Sequence, residues 1–281
     1  MLQKSIELTV LCENSVAGPF GLTGEHGWSV GLTTSSTQLL FDTGQGQGIL
    51  NNSKLLNFDL KKTAAIVLSH GHYDHCSGLA PVLPLTGETD VYLHEQGFGR
   101  RCHRYKGLVR DIGIRESQSS LEALGAHFIF NKDFTEIADG IYLSGEIPRL
   151  TSFEQTDPRL VRENSAMELF PDPLTDDQTL IIDSEEGLIL ILGCAHAGLI
   201  NILHWIQKQL PGRRIHTIIG GTHLGFASDE QFNATVDALH SFDIKCLAAS
   251  HCTGLDRGAD LAREFGSIFR FAPVGTRIHF P

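Results

Sequence analysis

The chain has 281 residues, 41% hydrophobic and 20% charged, enough apolar material for one well-buried domain of layered α/β type over residues 1–281. Its net charge of −11 repels polyanions, which argues against non-specific nucleic-acid binding and against an anionic membrane surface. The longest aliphatic run, Leu188–Leu192, is too short to span a bilayer, and Met1–Glu7 lacks the apolar core of a signal peptide; with six cysteines and no CxxC pair, reduced thiols in the cytoplasm are expected.

In chain order, Ile6–Leu11 alternates weakly and predicts a strand. Trp28–Thr33 and Gln38–Phe41 predict a hairpin across the polar turn Thr34-Ser35-Ser36-Thr37. Gly44-Gln45-Gly46-Gln47-Gly48 departs from the dinucleotide fingerprint, because its glycines alternate and Ile49 follows, and it reads as a turn before a helix. Ala64–Leu68 and Val91–Leu93 are buried strands. Leu121–Leu124 ends a helix at Gly125, and Phe128–Phe130 returns to extended chain. Ile141–Leu143 is a strand, as are Thr179–Asp183 and Leu188–Leu192 on either side of the turn Glu185-Glu186-Gly187. Leu199–Leu210 has apolar residues at 199, 202, 203, 206 and 210, close to the helical period. Ile215–Ile219 is a strand, Ser228 an N-cap for a helix through Leu239, Ile244–Ala249 a strand, and Asp260–Phe265 a short helix.

Ser69-His70-Gly71-His72-Tyr73-Asp74-His75 follows the strand Ala64–Leu68 directly. His70 and His72 are two apart, so in extended chain they point the same way. Asp74 and His75 lie beyond and can swing to a neighbouring position. Imidazole and carboxylate suit zinc, with iron or manganese as substitutes. A histidine-rich turn that binds nothing is the competing reading, and it leaves this strand-to-ligand arrangement unexplained. Four apolar strands run into histidine-bearing turns, at His70, His196, His223 and His251. In a mainly parallel arrangement these turns gather at the carboxyl edge, where α/β proteins bind ligands. Three of them precede helices, whose N-terminal N–H groups favour anions.

The H-x-H-x-D-H pattern resembles the signature of the metallo-β-lactamase superfamily, and Leu39-Leu40-Phe41-Asp42-Thr43-Gly44 resembles its early strand and turn. Glu25-His26-Gly27, Gly145-Glu146-Ile147-Pro148-Arg149, Gly193-Cys194-Ala195-His196-Ala197-Gly198, Gly220-Gly221-Thr222-His223-Leu224 and His251-Cys252-Thr253-Gly254 are similar to the dihydropterin–ribofuranosylaminobenzene phosphate synthase-like branch. The resemblance implies an αββα four-layer sandwich holding two divalent metal ions, zinc foremost. It implies His70 and His72 at the first ion, Asp74, His75 and His251 at the second, and His196 as the remaining histidine. Two positions depart from the superfamily pattern: Gly145-Glu146 stands where a mid-chain histidine is expected, and Cys194 where a bridging aspartate is expected. Three readings stay open. His196 replaces the usual ligand, Cys194 binds as thiolate, or Glu146 reaches the metal; Cys194 as a small buried thiol is the bland alternative.

A hydroxide shared by two metals is a nucleophile near neutral pH. Asp74 would orient it as a catalytic residue. His223, outside the ligand set, would stabilise developing charge or protonate the leaving group, unless it is a structural histidine bonded to backbone. Asp42 would bond the far nitrogen of a ligand histidine, or cap its own turn. Arg100, Arg101, Arg104, Lys106, Arg110 and Arg115 crowd one stretch of an acidic chain. They suggest an anion-binding lip, with Arg101, Arg104 and also Arg149 as substrate contacts. A solvated helix face or a partner surface is the other reading. Phe20, Trp28 and Phe226 are candidate walls for a ring, or core. The expected activity is hydrolysis of a small anionic, phosphorylated substrate. The branch resemblance implies an alternative, a transferase joining a dihydropterin methyl group to a ribofuranosylaminobenzene phosphate. A non-catalytic metal sensor is the third class. No nucleic-acid or membrane partner is expected, and self-association is left open.

Overall fold

The computed structural model describes every residue except Met1, Lys4, Pro19, Phe20 and Ser165, so the role considered for Phe20 lies outside the described residues. One seven-stranded sheet runs in the order Arg277–Phe280, Ile6–Cys12, Ser29–Thr33, Gln38–Phe41, Ala65–Val67, Thr89–Leu93, Ala126–Phe130. The second runs Phe269–Phe271, Cys246–Ser250, Ile215–Gly221, Gly187–Leu192, Leu180–Ser184, Ile141–Leu143, Thr135–Ala138. Strand alternation divides each sheet's side chains between two cores. Phe41, Val67, Ile189 and Ile191 face inward between the sheets. Leu40, Ile66 and Leu68 face outward beneath the helices Ile49–Leu55 and Leu79–Thr86. Leu188, Leu190 and Leu192 face the helices Leu199–Gln209, Asp229–Leu239 and Leu255–Phe265 on the other side. The result is the expected αββα four-layer sandwich.

The site depends on strand direction. Gln38–Phe41, Ala65–Val67 and Thr89–Leu93 are parallel, as are Gly187–Leu192, Ile215–Gly221 and Cys246–Ser250. Their carboxyl ends therefore open at one edge, and the histidine-bearing turns collect there. Among the described residues, no helix is long and apolar enough to cross a membrane.

The structure departs from the sequence reading at three places. The helix Leu79–Thr86 is an element to which the sequence reading assigned nothing, and it carries Pro84 in its interior. The last helix begins at Leu255 rather than Asp260, since its first turn is exposed and carries no apolar period. The basic stretch is neither helix face nor loop but a hairpin, Arg101–Tyr105 with Leu108–Asp111. Lys106 and Gly107 turn it with φ of 48° and 79°, the two positive values a two-residue type I′ turn requires. With Leu160–Glu163 and Leu169–Pro171 this hairpin forms a four-stranded sheet beside the site.

Candidate metal centre

Asp42 ends its strand in the left-handed region (φ 55°) and sends its carboxylate to the start of the histidine loop. Oδ1 accepts the Ser69 N–H at 2.7 Å, and Oδ2 accepts the Ser69 hydroxyl at 2.7 Å and the His75 Nδ1–H at 2.6 Å. With its proton committed to Asp42, the Ser69 oxygen accepts from His70 Nδ1 at 2.9 Å. Both rings thus anchor a proton on Nδ1 and turn Nε2 toward the donor cluster. His70 Nε2 lies 3.0 Å from His72 Nδ1, and His75 Nε2 lies 3.2 Å from Cys194 Sγ. His196 stands against the first pair, its ring centroid 4.8 Å from His70 and 5.0 Å from His72.

His251 approaches from the last parallel strand. Asn14 Oδ1, which accepts the Gly27 N–H at 3.3 Å, also receives His251 Nδ1 at 3.0 Å, and His251 Nε2 faces Asp74 Oδ2 at 3.3 Å. His26 Nε2 is 3.2 Å from the same oxygen. Among the described residues, in four groups every ligand atom lies within 4.8 Å of the others: His70–Cys194–His196, His75–Cys194–His251, Cys194–His223–Cys252 and His26–Asp74–His251. These are clusters able to coordinate metal. Cys194 belongs to three of them.

The electrostatics suit a cation. Burial, then the neighbouring His75, holds His70 well below the usual histidine range; burial, then His223, does so for His196. Burial and then Arg101 push His72 down to about 3. These rings are neutral, the form that ligates metal. Burial would raise the Asp74 carboxyl, but His75, His251 and His26 outweigh it and hold it well below the usual range. His72 Nε2, His196 Nε2 and His251 Nε2 are buried without a hydrogen-bond partner. Lone pairs and carboxylate converging without donors between them is unfavourable unless a cation sits among them, so the donor set fits metal.

The cleft above these residues has a volume of about 400 Å³, and Tyr73, His103, Tyr105, Arg110, Arg159 and Phe226 are among its walls. Phe226 lines it as one of the two expected readings held. Trp28 does not: it is fully buried in the core between the sheets. The anion-lip expectation needs correcting at its named residues. Arg101 is fully buried and paired with Asp176 at 2.7 Å and Asp172 at 3.6 Å, because an enclosed guanidinium requires carboxylate neighbours. Asp176 also accepts the Gly71 N–H at 2.8 Å, so Arg101 braces the histidine loop from behind. Arg104 is exposed and is not a cleft residue; in its strand the odd-numbered neighbours His103 and Tyr105 are. Arg149 donates to the Pro173 carbonyl at 3.0 Å and does not line the cleft. The cations that do are Arg110 and Arg159. Glu146 is exposed, accepts from His94 Nε2 at 3.0 Å and joins none of the donor groups.

His223 lines the cleft, its ring centroid 4.3 Å from His196 and Nε2 3.8 Å from Asp157 Oδ2. Burial works against its charge, but Asp157 and the Cys252 sulfur prevail and push it up to about 9. Asp157 is itself gripped by Arg159, whose Nε donates at 2.8 Å. The helix N-termini near these turns are already occupied. Glu154 accepts the Ile200 and Asn201 N–H groups at 2.7 and 2.9 Å, and Ser228 caps the next helix. The helix-terminus route to anion binding therefore does not apply at these two.

Sequence reasoning gave no role to His26, Asp157 or Arg159. His26 sits in a stretch singled out above, next to Glu25, whose buried carboxylate accepts N–H bonds from Gln45, Gln47 and Gly48 at 3.0, 2.7 and 2.9 Å. The alternating glycines thus wrap a carboxylate.

Fold, histidine loop and donor clusters define a metal-binding protein of one superfamily: residues 22–152 match the model of the metallo-beta-lactamase superfamily, and the chain belongs to it. It is similar to an uncharacterized protein of Methanocaldococcus jannaschii, 31% identical over 88% of this chain and 90% of that one. It is also similar to the 7,8-dihydropterin-6-methyl-4-(beta-D-ribofuranosyl)-aminobenzene-5'-phosphate synthase of the same organism, 28% identical over 98% of this chain and 97% of that one. Among solved structures, Tm1679, a metal-dependent hydrolase of the beta-lactamase superfamily, superposes with a TM-score of 0.81 at 28% identity, covering 97% of this chain and 98% of that one.

Proposed function

We propose that this chain is a hydrolase that uses two divalent metal ions, zinc foremost, against a small anionic, phosphorylated substrate. The observation that carries the reading is the meeting of two donor groups at Cys194 Sγ, one with His70 and His196 and one with His75 and His251. His70, His72 and His196 would hold one ion. Asp74, His75 and His251 would hold the other, with the Cys194 thiolate between them where relatives of the common pattern place a carboxylate. When bound, such ions lower the pKa of coordinated water and draw negative charge from a phosphoryl oxygen.

The chain's own groups then divide the remaining work. Asp74, fixed by contacts at 3.2 and 3.3 Å to His26 and His251, orients the attacking water. Arg110 on the cleft wall attracts the substrate's anionic group. His223, charged by its position beside Asp157, stands ready to give its Nε2 proton to the leaving oxygen. Tyr105 and Phe226 offer apolar surface that displaces water from the reacting end.

A second reading has its own support. The relative matched over 98% of this chain is named as a synthase, and a transferase would use the same donors. Metal analysis of the purified chain should find close to two ions, followed by phosphate release from a phosphoester panel. Product formation only when a dihydropterin and a ribofuranosylaminobenzene phosphate are supplied together would favour the transferase. Full activity in chelated, metal-free protein would end both readings.

A further inference from the structure

Cys252 belongs to neither donor group of the proposed hydrolytic site, yet it lies at the floor of the same cleft. Its Sγ, the Cys194 Sγ and a ring nitrogen of His223 all fall within 4.8 Å of one another. Three adjacent parallel strands bring them together: Cys194 follows Gly187–Leu192, His223 follows Ile215–Gly221, and Cys252 follows Cys246–Ser250. Both cysteines are free thiols, 3% and 7% exposed. Both His223 ring nitrogens are buried without a hydrogen-bond partner. The His223 N–H donates to Cys252 Sγ at 3.3 Å and steers that sulfur into the cluster. Gly221 leaves the room for it, since a Cβ there would sit 2.5 Å from the sulfur.

We propose that Cys194, His223 and Cys252 form a further binding position for a single soft cation of the Cu⁺ type. Two thiolates and an imidazole, with no carboxylate, are a donor set that favours such an ion over the harder ones served by the oxygen-containing group around Asp74. A metal–thiolate bond is about 2.3 Å, so donors around one ion lie within about 4.6 Å of each other, and small side-chain turns close this group. Binding releases to solvent the Cys194 thiol proton, one ring proton of the charged His223 and any proton left on Cys252, so that all three donors reach the ion with a free lone pair. Occupation withdraws Cys194 from both neighbouring groups and takes His223 from the cleft wall, so the soft ion excludes hydrolytic chemistry. The proposal shares Cys194 with the two-metal reading but does not rest on it.

The test titrates the full chain with Cu⁺ against a chromogenic Cu⁺ chelator, with zinc content measured on the same preparations. Loss of an outer hydrogen-bond partner already weakens metal binding about 10- to 100-fold, so loss of a thiolate should cost at least that. Wild type should hold one Cu⁺ per chain, Cys252→Ser should bind it at least about 100-fold more weakly, and His223→Gln should also weaken it. Zinc content should be the same in Cys252→Ser as in wild type, which establishes that the variant folds. Equal Cu⁺ affinity in wild type and Cys252→Ser, or no Cu⁺ bound by wild type, would overturn the proposal. A chain that holds Cu⁺ through Cys252 but takes no zinc would instead sink the two-metal reading alone.

Discussion

Asp42 and His75 form a fully buried contact, carboxylate Oδ2 to ring Nδ1, 2.6 Å apart with neither side chain exposed. Burial alone would keep the ring neutral, but Asp42 and then Asp74 overcome it and push His75 up to about 9. The contact anchors the Nδ1 proton, so the proton a metal would displace is the one on Nε2, the nitrogen that faces Cys194.

Asp42→Ala should therefore weaken metal binding about 10- to 100-fold while the other ligands stay in place. Competition with a metal chelator measures it. Unchanged affinity would reduce Asp42 to a turn cap.

Arg101 and Arg110 should part company under mutation. Arg101→Met leaves Asp172 and Asp176 buried without their partner, and breaking such a pair costs about 3–5 kcal/mol. Its melting temperature should fall, and with it metal content, since Asp176 also holds Gly71. Arg110→Ala should instead raise KM for a phosphorylated substrate about ten- to a hundredfold with metal content intact, an effect that fades as salt rises. A KM effect at Arg101 without loss of stability would restore it to the substrate lip.

His223→Gln should lower kcat by about 10²- to 10⁴-fold on an alkyl phosphate, whose leaving group needs a proton. The loss should be much smaller on p-nitrophenyl phosphate, and zinc content should not change. Equal losses on the two substrates would exclude a proton-donating role.

Asp177 supplies a pH test. Its Oδ2 accepts the Ala197 N–H at 2.8 Å, and burial pushes the carboxyl up to about 7. In the unfolded chain it ionises near about 4. The folded state holds a proton that the unfolded chain has released, so stability declines as pH rises from about 4 to about 7 and is level above. Asp177→Asn keeps an acceptor for Ala197 and has no such penalty. It should melt several degrees above the parent at pH 8, with the gap closing toward pH 4, as thermal scans at both values would record. A gap independent of pH would assign the effect to packing.

The histidine loop was legible because its donors are close in sequence and follow an apolar strand whose direction the pattern reveals. Phe41 and Leu40 likewise announce their opposite faces by alternation alone. Arg101 and Arg104 were not legible as a pair: charge density marks the stretch, but the side each residue faces depends on strand register and on carboxylates seventy residues away in the chain, at Asp172 and Asp176. Gly107, directly after Lys106 and between two runs of extended-chain residues, was the available sign of a turn there. Asp157 and Arg159 meet His223 only through folding, and no local spacing connects them.

Gly71, the spacer between His70 and His72, is constrained from outside the motif. A Cβ there would lie 2.0 Å from the Gly97 carbonyl oxygen, with the Gly97 Cα 2.9 Å away. Metal chemistry is indifferent to what separates two ligand histidines, yet in this protein the neighbouring Glu95–Phe98 turn vetoes any side chain at that position. Drift at residue 71 can come only after that turn has retreated, which ties the history of the ligand loop to a segment that carries no ligand.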